Sequence, residues 1–310
     1  VKRKWFGMVL LGLGAFLLVV GVLATVWAPG VVKKTPLDVD QTTHLDGTVN
    51  KLNPATGEME ENPVKVESIS KADADASNDD VIVFVQTACV VIDVDNAPNC
   101  VDGDDPRLVT ATTDVFATDR VSAEAIADFK GLPTDAVPHE GLVNKWPFDS
   151  QKKDYTYWNG TLDRALPAVY KGTKNILGID TYVYEIKAEK EPIDIAEGIP
   201  GTYDDLTTIY VEPKTGAIQQ QTDSMQQYLE DGTQVVDLNI GFTEDQQKAF
   251  ADDAKTNMRM LDMMTLWMPI VGFVGGALCV LAGLALLLTA SRRDSAGNEK
   301  STKALAGTSS

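Results

Sequence analysis

The sequence predicts an α+β protein, a β-rich extracytoplasmic domain held between an N-terminal and a C-terminal transmembrane helix. Three observations predict it. Residues 6–26 and 266–290 contain no charged side chain. The chain between them is polar and acidic, and its runs of β-branched and aromatic residues outnumber its helical ones.

About 20 apolar residues rising about 1.5 Å each cross a hydrocarbon core of about 30 Å, so each end segment is long enough to span a bilayer. Lys2, Arg3 and Lys4 precede the first, and Arg292, Arg293, Lys300 and Lys303 follow the second. Basic residues at span ends favour the cytoplasm. The expected order is a cytoplasmic N-terminus at 1–5, a first span at 6–28 and a β-rich domain at 35–242. A juxtamembrane helix at 243–265, a second span at 266–290 and a cytoplasmic tail at 291–310 complete it. This places the protein in the plasma membrane with both termini inside. The first span reads as a retained anchor, because signal peptides have an apolar region of only about 7–15 residues. Pro29 also follows the only small-residue cleavage position, after Ala28. Gly7, Gly14 and Gly21 in span one, and Gly272, Gly276 and Gly283 in span two, suit close helix packing, on each other or on a partner's helices.

Between the spans, residues 81–94, 179–187, 207–212 and 233–241 read as strands. Pro54-Ala-Thr-Gly57 and Pro213-Lys-Thr-Gly216 read as hairpin turns, the second joining TTIYVE to AIQQQTD. Residues 70–80 are a polar loop. Two helices are expected. A short one covers 122–130 behind Ser122. A longer one starts at the capping box Thr243-Glu-Asp-Gln246, with Phe250, Ala254, Met258 and Leu261 on one face, and runs into span two, where Pro269 can kink it.

Composition excludes several function classes. The segment 35–265 holds 18 Lys+Arg against 43 Asp+Glu, a net charge of about −25. Nucleic acid is therefore not a partner, since phosphate recognition needs basic patches. Cys89 and Cys100 are the only cysteines of the outer domain, and a disulfide stapling two neighbouring strands is expected in an oxidising compartment. Its alternative is a pair of reduced, buried thiols.

Catalytic and metal chemistry find little purchase. His44 and His139 are the only histidines, neither beside a serine or cysteine in a nucleophile pattern. No phosphate-cradling glycine loop or HExxH occurs. Asp93, Asp95, Asp102, Asp104 and Asp105 lack the twelve-residue spacing of an EF-hand. No catalytic residue, cofactor or metal is expected. The densest feature is Trp146, Phe148, Tyr155, Tyr157 and Trp158, five of the 22 aromatics within one short segment. Such a group fills a core or lines a surface for sugar or lipid.

That segment, WPFDSQKKDYTYWNG, resembles the PFDT-x-K-x-Y-x-YWD signature of the actinobacterial porin PorA family, with Ser150 and Asn159 in place of the usual Thr and Asp. GIDTYVYE at 178–185 and the VEPKTG hairpin at 211–216 support it, and it extends over essentially the whole chain. The resemblance implies a cell-envelope protein of mycolic-acid actinobacteria, with some members linked to lipoglycan assembly. Membrane lipids or lipoglycans, and other membrane proteins, are the implied partners. The word porin does not transfer, because a two-helix hairpin cannot enclose a pore and no series of membrane strands replaces it. The two-span topology is similar to that of class B scavenger receptors, whose β-rich ectodomain passes lipid through an apolar tunnel. That likeness is one of topology alone.

Overall fold

The computed structural model describes residues 2–306, with side chains as far as Ser291. The basic side chains of Arg292, Arg293, Lys300 and Lys303, within the expected tail 291–310, lie outside the described residues. Two compact units form, Lys34–Met258 and the combination of Val1–Lys33 with Arg259–Ser310.

The first unit is built on one ten-stranded sheet that curves into a half-barrel. Its strands are β1 (Asp40–Leu52), β2 (Met59–Asp73), β3 (Val81–Ile92), β4 (Leu108–Asp119), β5 (Tyr155–Asn159), β6 (Arg164–Ile176), β7 (Ile179–Ala196), β8 (Ile199–Val211), β9 (Ile218–Leu229) and β10 (Gln234–Phe242). The order is β4-β3-β2-β1-β10-β9-β8-β7-β6-β5, all neighbours antiparallel. Two meanders are thus joined where β1 pairs with β10, with Leu45 opposite Phe242. The predicted turns close the β1–β2 and β8–β9 hairpins, and Gly57 and Gly216 adopt the positive φ those turns need, +74° and +76°.

One sheet face is apolar. Leu45, Val49, Val64, Val66, Val90 and Leu238 pack together on it, and a second cluster runs through Ile186, Ile209 and Val211. Ile218 and Met225 touch both clusters. The alternation that puts these residues inside leaves their sequence neighbours outward, as the period of two requires.

The long β4–β5 connection replaces the helix expected at 122–130. The Asp119 carboxylate accepts the amides of Val121 and Ser122, forming a turn. Ala123 then takes φ +61°, which no helix tolerates. The next amides are claimed by other segments, Ala125 by Gly141 and Ile126 by Ala117. Tertiary pairing overrides local helix propensity here. The same connection closes the sheet at one end. Isolated bridges link Thr118 to Ala125, Glu124 to Leu142 and Leu142 to Tyr157, stepping from edge strand β4 to edge strand β5.

Cys89 and Cys100 form a disulfide. It does not staple two strands as expected. Cys89 lies on β3, but Cys100 sits in the loop before β4, so the bond ties that loop over Val91 and Ala97. Replacing both cysteines by serine releases this loop, with an expected cost of about 3 kcal/mol by chain entropy. Thermal unfolding with and without reductant checks it, since only the wild type should respond to reduction.

Helix α3 (Glu244–Asp262) starts where predicted. Thr243 Oγ1 accepts the Gln246 amide at 3.1 Å. The box is only half made, because the Gln246 side chain accepts the His44 amide at 3.0 Å instead of returning to Thr243. Phe250 packs edge-on to Phe242, and Ala251 and Ala254 cover Ile179.

The second unit is a helical hairpin. Helix α1 covers Lys2–Val26, and a short α2 covers Ala28–Val32. Beyond α3 the helix continues through a π turn at Met263–Trp267, α4 (Met268–Ile270), a second π turn at Val271–Gly275, and α5 (Gly276–Ala306). The two π turns flank Pro269. A proline lacks the N–H and crowds the carbonyl four residues back, here Thr265, and widened turns relieve that crowding. Lys2–Val26 and Glu244–Ser291 are both long and apolar enough to cross a membrane.

The six glycines singled out in the sequence meet each other. A Cβ on Gly7 would lie 3.1 Å from the Gly283 carbonyl oxygen, one on Gly14 2.8 Å from that of Gly276, and one on Gly272 2.6 Å from the Gly21 Cα. Backbone therefore rests on backbone along α1 and its antiparallel partner. The outward residues Phe16, Val19, Leu278 and Leu281 are exposed and apolar.

Candidate functional site

The aromatic segment singled out in the sequence lies mainly in the core. Trp146 is fully buried, its ring stacked on Tyr157 and Tyr184 with centroids 5.1 Å away in each case. Its amide donates to the Gly216 carbonyl at 2.9 Å. A Cβ on Gly216 would come within 1.9 Å of the Trp146 carbonyl oxygen, so the turn glycine is also a packing glycine. Tyr155 meets Tyr184 edge to face at 5.7 Å, and its hydroxyl accepts the Gln151 amide. Trp158 stacks on His139 at 4.2 Å. His139 is itself buried between Asp114, 2.8 Å from Nε2, and the Val137 carbonyl, 2.7 Å from Nδ1. Phe148 stands apart, half-buried, with the Lys145 ammonium 3.9 Å above its ring. Lys145 Nζ also donates to Thr35 Oγ1 at 3.2 Å, and burial pushes its ammonium down to about 7.

Sequence reasoning missed the polar group beside this cluster. On β8, Tyr203, Asp205, Thr207, Ile209 and Val211 alternate onto one face and are all buried. Asp205 lies opposite Met225 and Thr207 opposite Asp223 on β9, so the two aspartates are diagonal neighbours on the same face. Each keeps one carboxylate oxygen, Oδ1, buried without a hydrogen-bond partner. Thr207 Oγ1 donates to Asp205 Oδ2 at 3.1 Å. Burial raises Asp205 above the usual carboxylate range, and burial together with the neighbouring Asp205 charge raises Asp223 well above it. Burial and then Asp223 push the Tyr157 hydroxyl upward as well. The signal was available in the strand period, because the positions that bury Tyr203 and Ile209 necessarily bury Asp205.

A row of polar groups leads from this pair to the surface. Tyr203 lies two positions before Asp205 on the same buried face of β8, and its hydroxyl accepts from Asn159 Nδ2 at 3.4 Å. Asn159 Oδ1 in turn accepts the amides of Thr161 and Leu162, at 3.1 and 3.0 Å. That turn, between β5 and β6, borders a cleft of about 450 Å³. Leu162, Pro192 and Ile193 supply its apolar walls; Asp163, Asp194 and Gln227 face it with polar groups. Arg164 and Glu191 form an ion pair at 2.6 Å on its rim. The cleft lies at the strand ends opposite those where the chain enters β1 and leaves β10. Among the described residues no group of three His, Cys, Asp or Glu side chains is arranged to hold a metal ion.

A search of curated proteins finds no match. A sequence model of the family described as Porin PorA matches residues 6–285. With that match covering the whole sheet and most of both apolar segments, the chain belongs to the Porin PorA family of membrane proteins.

Proposed function

We propose that this is a non-enzymatic cell-envelope protein that binds the polar, glycan-bearing part of a lipid or lipoglycan intermediate at the outer face of the plasma membrane. The cleft beside the β5–β6 turn carries this reading. Its hydroxyl, amide and carboxylate groups set against Leu162, Pro192 and Ile193 match a sugar ring, which offers hydroxyls at its edge and C–H groups on its faces. The interior of the half-barrel is occupied by Trp146, Tyr184, Met225 and the aliphatic clusters, an arrangement that favours headgroup recognition over passage of an acyl chain. Both histidines are committed to neighbouring side chains, which favours binding over nucleophilic catalysis.

Native mass spectrometry of the detergent-purified full chain, followed by extraction, tests this. The expected result is a co-purified amphiphile with a glycan headgroup, whose occupancy falls at least severalfold in an Asp163→Ala/Asp194→Ala variant. A bare protein, or a stoichiometric protein partner in place of the amphiphile, sinks it. The second outcome would instead favour an accessory subunit of a larger membrane complex.

A further inference from the structure

We propose that Asp205 and Asp223 form a single proton-binding site inside the sheet, and that its occupancy sets the order of the Asn159–Arg164 turn beside the cleft. The link to the cleft rests on the function proposed above; the proton site itself does not.

The geometry requires a proton. Asp205 Oδ1 and Asp223 Oδ1 are both sealed from solvent and have no hydrogen-bond partner, and an ionised carboxylate can only accept. Asp205 is 4 % exposed and Asp223 is half-buried with its Oδ1 sealed, so water screens the pair weakly. Two such acceptors, diagonal neighbours on one face of the β8–β9 hairpin, repel unless one proton lies between them, as in other carboxylate dyads. The surrounding elements supply no counter-charge. Tyr157 faces the pair from β5, itself stacked on Trp146 of the connection, and Tyr203 and Thr207 face it from β8. Ala188 and Ile186 stand opposite Asp205 and Thr207 on β7, and Ile240 stands opposite Asp223 on β10. Losing the proton to solvent therefore leaves two adjacent charges in an apolar setting. The nearest donor that can turn to that charge is the Tyr203 hydroxyl, two positions along the same buried face of β8, and Tyr203 is the residue that holds Asn159.

The sign follows from linkage. In the unfolded chain each aspartate ionises at its ordinary value near 3.8, while the folded pair keeps its proton to higher pH. The folded state then binds more protons over that interval, so stability falls as pH rises through it.

The test is melting of the full chain in detergent from pH 4 to 9, with hydrogen exchange of residues 159–166. Wild type should lose stability steadily above pH 4. Asp223→Asn, whose amide donates to Asp205 without a proton, should melt several degrees higher at pH 8 and lose that part of the slope. The exchange ratio of wild type to variant at Thr161 and Leu162 should rise with pH. Asp205→Asn serves as a second variant should Asp223→Asn not fold. Parallel melting curves for wild type and variant, or a variant less stable at every pH, would overturn the proton site. A flat exchange ratio would overturn the coupling to the turn. None of these readouts contains a glycan, so failure of the glycan assay and failure here are separate results.

Discussion

Trp146→Ala is expected to be the most damaging single substitution in the sheet unit. Truncating a fully buried tryptophan typically costs about 3–5 kcal/mol. For a domain of this size that lowers the melting temperature by on the order of 10 °C. The effect should lie at the upper end, because collapse around the hole is blocked. Tyr157 and Tyr184 lean on the ring from β5 and β7, and Gly216 holds the Trp146 backbone from the β8–β9 turn. None can close the gap without moving its strand. Trp146→Phe should cost far less. It keeps a stacked ring and removes an indole N–H that is buried with no partner. Thermal melts of the two variants check the reasoning. A loss in Trp146→Ala of under about 1 kcal/mol, well below the range for buried aromatic truncation, would show that the ring is not what holds the β4–β5 connection in place.

Gly14→Val is expected to part the helical hairpin, while Gly12→Val leaves it unchanged. A Cβ on Gly14 meets the Gly276 carbonyl oxygen at 2.8 Å and the Val280 amide nitrogen at 2.9 Å, and neither backbone atom can swing aside. A Cβ on Gly12 meets nothing within 4 Å. Overpacking of this kind costs about 1–3 kcal/mol, roughly a 5- to 150-fold drop in the docked population. Disulfide trapping reads it directly. The Cβ of Gly7→Cys would lie 3.0 Å from the present Leu287 Cγ position, where the sulfur of Leu287→Cys would sit. That is close to the separation of about 3 Å that cystine geometry implies. With Cys279→Ser removing the remaining thiol, the pair should cross-link in the parent and in Gly12→Val, and much less in Gly14→Val. Equal trapping in both valine variants would mean that the glycine contacts do not hold the spans together.

The sequence and the structure agree most closely where one residue type permits only one geometry. The P-x-T-G segments formed their hairpins because glycine alone enters the positive-φ turn position cheaply. The cap at Thr243 formed because a threonine oxygen answers an orphan helix amide. Agreement fails where pairing partners are distant. β1 and β2, with sequences DQTTHLDGTVNKL and MEENPVKVESISKAD, look too polar for strands, yet the β10 and β3 edges they meet supply the missing hydrogen bonds. Ser122–Lys130 looks helical and is not, because Gly141 and Ala117 take its backbone groups.

By itself the sequence determined the two apolar helices, their glycine rows, the acidic character of the domain between them and several of its strands. These depend on composition and short spacing, which act locally along the chain. Only the tertiary structure decided that the glycines serve each other, that Trp146 packs into the core against Tyr157, that Cys100 anchors a loop, and that Asp205 and Asp223 meet as diagonal neighbours. The two aspartates lie on different strands of a hairpin. Their meeting depends on cross-strand register, a property of the paired backbones that no single segment carries.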